Sequence, residues 1–352
     1  MVGMVAAVSA STGIVASIPA GILADRWGRK RMLLVSALVF ASAPFLYLVV
    51  TEIWQLAIIR FYHGIATAIF IPVAMALIAG IYHGERGERM GWFSTATLIG
   101  RFLAPVVGGA IIGAMALTPA VGYKVVYLVC GAAGILVLLL ALKIPDPDDG
   151  SKDYRNWKET LRTFKTVISH RGILFTSAVE AAILFAYGTF ETFLPLYSLK
   201  IGHSAYAVGI FLSAQVITIA ITKPVMGRFS DKHGRRPQIF AGAIIGAACI
   251  GAFSLFTTFV SLLLLSALFG LCLSIVTSAT SALVADMSRK ETHGGAMGTL
   301  GSVMDIGHTT GPLISGFIAV YFGLAFSFIG ASVILLFFAF LFLLGTIHPK
   351  AL

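Results

Sequence analysis

The chain has 352 residues, of which 58% are hydrophobic and only 11% charged, and its mean hydropathy is +0.94. A soluble domain carries about a quarter charged residues, so the composition excludes a soluble protein and leaves an integral membrane protein. The net charge of +10 would point to nucleic acid in a soluble chain. Here the bases sit in short loops between apolar runs, where they set topology and call for no nucleic-acid partner.

Eleven apolar runs are each long enough to cross a bilayer: roughly 1–24, 32–50, 54–82, 90–116, 119–143, 173–198, 204–226, 238–257, 259–285, 295–321 and 324–347. The first lacks a basic start and feeds straight into a loop, which reads as a span and not a cleaved leader. Loops after the first, third, fifth, seventh and ninth runs, with the C-terminus, hold 20 of the 25 Lys and Arg. That asymmetry places those loops in the cytoplasm. The fold class expected is an all-α membrane protein. Cys130, Cys249 and Cys272 stand singly inside apolar runs and suggest neither a disulfide nor a zinc site.

The loop after the first run packs Gly21, Asp25, Arg26, Gly28, Arg29, Lys30 and Arg31 into eleven residues. Gly28 permits a tight turn, and the bases face phospholipid headgroups and helix ends. Asp25 either pairs with these bases or meets a helix N-terminus; a purely topological loop would need the bases alone. A degenerate copy carries Gly227, Asp231, Gly234, Arg235 and Arg236, an offset of 227 − 21 = 206. Gly64 matches Gly270 at the same offset, and Gly100, Pro105 and Gly109 match Gly307, Pro312 and Gly316 at 207. The chain therefore reads as two copies of one membrane unit: a bundle over 1–143, a linker over 144–172 and a second bundle over 173–352. Within the linker Trp157, Leu161, Phe164 and Ile168 recur at helical spacing among bases, the pattern of an amphipathic helix on the cytoplasmic surface. A cavity between such halves is the natural place to bind a solute.

Ionisable groups within spans are costly, so each is a functional candidate. Arg101 and Asp305 each lie about eleven residues into a run, near the midplane at ~1.5 Å per residue. His308 follows Asp305 by three positions and shares its helix face. Glu180 and Glu191, three helical turns apart, share another. Such carboxylates either bind and release protons as solvent access alternates, or form static pairs such as Asp305 with Arg101. Arg60, about six residues from the external end, either works on substrate or simply snorkels. The aromatic stretch Phe185 to Phe193 offers a lining for apolar cations, against ordinary packing. Pro105 and the glycines Gly100, Gly108 and Gly109 allow close approach and bending. No nucleotide loop, metal cluster or nucleophile elbow is present in the sequence, so neither cofactor nor metal nor enzymatic chemistry is expected.

These motifs resemble those of the major facilitator superfamily. Gly21 to Arg31 matches its signature loop, G-x-L-A-D-R-x-G-R-K-R, throughout. Arg60-Phe-Tyr-His63-Gly64 resembles its R-x-x-Q-G motif, with His63 in place of Gln. Gly91, Gly100, Ala104-Pro105 and Gly108-Gly109 are similar to its antiporter motif, with Ala104 replacing one Gly. The resemblance implies a twelve-span fold of two helical bundles, of which spans two to twelve correspond to this chain and the first is missing. It further implies that Asp25 and its basic neighbours latch one conformation, with Gly227 to Arg236 as the second-half counterpart. The antiporter motif, with its copy at Gly311 and Pro312, implies a hinge typical of exporters that exchange drug for proton. The function expected is thus proton-coupled efflux of small amphipathic or drug-like compounds by a monomer in the cell membrane. Import of a sugar, organic anion or other metabolite is the runner-up, and a non-transporting scaffold or sensor the other class.

Overall fold

The computed structural model describes residues 8, 12, 27–82, 86–145, 171–288 and 293–347. Those residues form ten helices and no strand: α1 (Arg29–Tyr47), α2 (Ile53–Ile81), α3 (Arg86–Ala114), α4 (Pro119–Leu142), α5 (Arg171–Lys200), α6 (Ala205–His233), α7 (Arg235–Ala252), α8 (Phe259–Met287), α9 (His293–Phe322) and α10 (Leu324–Ile347). They coincide with the second to eleventh apolar runs of the sequence. Most of the first run, the Gly21 to Arg26 stretch and the amphipathic linker lie outside the described residues. Eight of the ten are long and apolar enough to span a membrane on length and composition alone. Helix is the only open-ended element that satisfies its own backbone in lipid, which is why near-continuous apolar runs take this form.

Start signals are local. Glu52 and Gln55 form a capping box at α2. The Ser204 hydroxyl accepts from the Ala207 amide at 3.2 Å to open α6, and Thr258 accepts from Ser261 at 3.3 Å to open α8. Pro119 sits in the first turn of α4, where its missing N–H costs nothing. Gly28 (φ 93°) and Gly234 (φ 91°) precede α1 and α7 in one backbone conformation, a left-handed region where other residues are strained. The two loops related by sequence therefore turn alike.

The chain divides into two compact units. Among the described residues, one comprises residues up to 100 together with 110–145, the other 101–109 together with those from 171 onward. In the first, α1 packs on α2 and α4, and Met32, Leu33, Ile69, Val73 and Leu77 form a small core. Gly134 lets α4 lie against the Phe40 carbonyl and Ala41 of α1. In the second unit, α5 is the central helix, meeting every helix from α6 to α10. Its core is aromatic: Phe190, Phe193, Phe211, Phe253, Phe269 and Phe328 are all buried. Large apolar side chains such as Leu264, Phe337 and Leu344 point outward, as a lipid-facing surface requires.

Two seams of small residues set the spacing in the second unit. A side-chain carbon on Gly307 or Gly311 of α9 would strike the Ala181 or Phe185 carbonyl of α5, and one on Gly188 would meet the His308 carbonyl and Pro312. Thr189 and Ser315 hydrogen-bond across the same seam at 2.8 Å. Segment Arg101–Gly109 of α3 lies as closely on α6. Gly109 faces the Ala205 carbonyl and Gly209, Gly209 faces the Pro105 carbonyl, and the Ser213 hydroxyl donates to the Phe102 carbonyl at 2.8 Å.

Arg235 ties three helix ends of this unit together. It bonds Asp231 at 3.3 Å and also contacts Asp286 at the end of α8. Arg29, its counterpart 206 residues earlier, reaches the Ala76 carbonyl near the end of α2 at 3.3 Å. Arg235 is one-fifth exposed and its acids more than half, so the pairing is worth about 1 kcal/mol. Arg235→Ala should therefore lower the midpoint of thermal unfolding in detergent by about 1–2 °C. An unchanged midpoint would show that the clamp contributes nothing.

Candidate functional site

Of the ionisable residues singled out by sequence, the structure brings Glu191 and His308 together. Their Oε2 and Nε2 atoms lie 3.1 Å apart, with half of the Glu191 side chain and a third of the His308 side chain accessible. The two are 117 residues apart in the chain. α5 and α9 meet because their glycines interlock, and that contact carries His308 to Glu191. Tyr187, one turn before Glu191 on α5, stacks on the His308 ring with centroids 5.2 Å apart and planes 24° from parallel. The Arg101 guanidinium from α3 is within electrostatic reach of both Glu191 and Tyr187. Arg101, Pro105, Tyr187, Glu191 and Gln215 line a cavity of about 60 Å³. That volume suits a few waters and not a drug-sized molecule, which needs about 300 Å³ or more. A carboxylate, an imidazole and an open water-sized space form a constellation able to exchange a proton.

The remaining candidates fall elsewhere. Asp305 shares its helix face with His308 but is exposed and makes no ion pair among the described residues, so the Asp305–Arg101 pair weighed from sequence does not form. Arg101 is within electrostatic reach of Glu191 instead. Glu180 is wholly buried in α5, and neither carboxylate oxygen has a hydrogen-bond partner. Lys223 of α6 and Thr280 of α8 are the polar groups that bear on it. Glu180 and Glu191 lie on one stripe of α5, yet only Glu191 opens to accessible space. Phe185, Phe190 and Phe193 are packed into the core, at most 4% exposed, so ordinary packing accounts for Phe185 and Phe193. Only Tyr187, Phe190 and Glu191 of that stretch reach the small cavity. Asp25 and Arg26 lie outside the described residues, whereas Arg29, Lys30 and Arg31 open α1. Gln215 is a member the sequence did not single out. It is buried with an unpartnered Nε2, and a lone amide in an apolar run was its only signal.

The model of the Major Facilitator Superfamily matches residues 1–214 and 200–351, effectively the whole chain. The chain belongs to the Major Facilitator Superfamily. As a member it is a multi-pass membrane transporter of small molecules, and its task is translocation instead of covalent chemistry. An uncharacterised MFS-type transporter of Methanocaldococcus jannaschii, MJ1560, is 26% identical over 329 residues, covering 92% of this chain and 83% of that protein. Multidrug resistance protein MdtG of Enterobacter lignolyticus is 28% identical over 342 residues, covering 95% and 80%. The crystal structure of a bacterial homologue to the human lysosomal transporter Spinster, inward-facing and unoccupied, superposes with a TM-score of 0.82. That likeness covers 98% of this chain and 94% of that one at 16% identity, and it shows a shared fold.

Proposed function

We propose that this superfamily member exports small amphipathic compounds in exchange for protons across the cell membrane, and that the Glu191–His308 pair carries the exchanged proton. The observation that carries the reading is the 3.1 Å pair itself, open to accessible space beside a water-sized cavity. A proton on Glu191 removes its charge and releases His308; loss of the proton restores the pair. The two protonation states differ in whether Glu191 holds His308, and a difference in proton affinity between conformations is what coupling requires. The resemblance of Gly100 to Gly109 to an antiporter motif and the multidrug resistance relatives support export. Bundles over 1–143 and 173–352, linked through 144–172, would supply the alternating halves, with the Gly21 to Arg31 loop as latch. The transporter acts as a monomer in this reading.

Proton release on substrate binding tests it. Purified transporter in weakly buffered detergent, given ethidium or naphthalene-2-sulfonate, should release protons measurable with a soluble pH dye. His308→Ala should reduce that release several-fold. Equal release by the variant would remove the pair from the coupling step.

A further inference from the structure

A second polar site lies in the other unit, around Arg60 of α2. Arg60 stands seven residues from the start of that helix, ~10 Å along its axis, within a span. Its Nε is sealed from solvent and has no hydrogen-bond partner, and it makes no ion pair among the described residues. The two terminal nitrogens are not among the sealed atoms, so the guanidinium presents its outer edge to accessible space.

Its surroundings are aromatic. Tyr47 from the end of α1 and Tyr127 from α4 stack with centroids 5.0 Å apart and planes 20° from parallel. His63, one turn along α2, lies 6.3 Å from the Tyr47 ring. The Arg60 charge is within electrostatic reach of all three. Neither the Tyr47 nor the Tyr127 hydroxyl makes a hydrogen bond among the described residues, whereas nearby Tyr62 bonds Ser42 at 2.9 Å. The acids that the described residues of this unit hold are Glu52, which caps α2, and Glu88, in the first turn of α3. Neither is bonded to Arg60.

An arginine kept within a bilayer span without a counter-charge is costly. An arginine fork with two unspent phenol donors matches the oxygens of a carboxylate, sulfonate or phosphate, which accept two bonds from a guanidinium. The stacked tyrosine faces suit an apolar or aromatic body attached to that anion. The geometry points to Arg60, Tyr47 and Tyr127 as a binding site for amphipathic anions. This goes beyond the proposed export, because it is a statement about binding and holds whatever the direction or coupling of transport.

Binding to the full chain in phosphatidylcholine nanodiscs, measured by calorimetry, tests the site. The probes are naphthalene-2-sulfonate, inorganic phosphate and the cation 2-naphthylmethylammonium. The wild type should bind the sulfonate at least ten-fold more tightly than inorganic phosphate. Arg60→Gln should weaken sulfonate binding at least ten-fold and leave the cation within two-fold. Arg60→Lys, which keeps charge without the fork, should fall between. Should Arg60→Gln fail to elute as a folded species, the Tyr47→Phe, Tyr127→Phe double variant, which removes only hydroxyls, should still weaken the sulfonate several-fold. Repeating the wild-type titration with a third phosphatidylglycerol identifies the source of the anion. Loss of sulfonate binding there assigns the site to a lipid headgroup, and its persistence assigns it to a free solute; both keep the anion site. Unchanged sulfonate affinity in a folded Arg60→Gln protein, or equal loss for the cation, would overturn it.

Discussion

Glu191→Gln should abolish uphill transport while leaving exchange intact. In proteoliposomes a gradient of two pH units supplies about 2.7 kcal/mol per proton. A one-for-one antiporter therefore concentrates substrate up to about 100-fold. Glutamine keeps the shape of Glu191 and still hydrogen-bonds His308, but it cannot titrate. The variant should accumulate no more solute than empty liposomes do, a loss of up to about 100-fold in final ratio. Exchange of labelled for unlabelled solute at equal pH needs alternation without net proton movement and should persist at a third or more of the wild-type rate. Undiminished uphill transport would move the coupling role to Glu180 or Asp305. Loss of both activities in a folded protein would make the Glu191–His308 pair a structural tie.

The second large effect is on folding. Gly311→Val should leave little folded protein, because the added carbons meet the Phe185 carbonyl and the Thr189 amide of α5, backbone atoms that cannot swing aside. Overpacking typically costs 1–3 kcal/mol when neighbours relax; against fixed backbone the cost sits at or above the top of that range. Gly100→Ala and Gly108→Ala are the controls. Nothing lies within 4 Å of a side-chain carbon at either position, and alanine is the better helix former, so neither variant should lower the unfolding midpoint. Size-exclusion profiles and thermal unfolding in one detergent separate the cases. A well-folded Gly311→Val protein would show that α5 and α9 can part without cost.

Those glycines also show how far a sequence pattern reaches. Gly100 and Gly307 occupy the same place in the repeated motif, yet Gly307 presses on the Ala181 carbonyl and Gly100 meets open space. The motif was legible because it is local in the chain; its contacts were not, because they depend on which helix lies opposite. The helices themselves were legible, since an apolar run in a bilayer has no other open-ended way to satisfy its backbone. So were the turns at Gly28 and Gly234, where a short basic loop needs a residue free to adopt a positive φ. The pairing of charges was not. Asp305 and His308 share a face of α9, and a small rotation of that helix decides which one meets α5. Sequence spacing fixed the shared face but not the rotation. Likewise Phe185, Phe190 and Phe193 read equally as cavity lining or as core until the helices around α5 are in place.

Accumulation of a permanently charged solute under an imposed pH gradient tests the central claim most directly. Ethidium and naphthalene-2-sulfonate do not titrate near neutrality, so neither is trapped passively by pH. With the membrane potential clamped, an antiporter concentrates its substrate in the acidic compartment and a symporter in the alkaline one, whichever way the protein is inserted. Wild-type proteoliposomes with an acidic lumen should accumulate at least one of these solutes well above the external concentration, and a protonophore should release it. Accumulation in an alkaline lumen, or an internal concentration indifferent to the gradient, would contradict proton-coupled export.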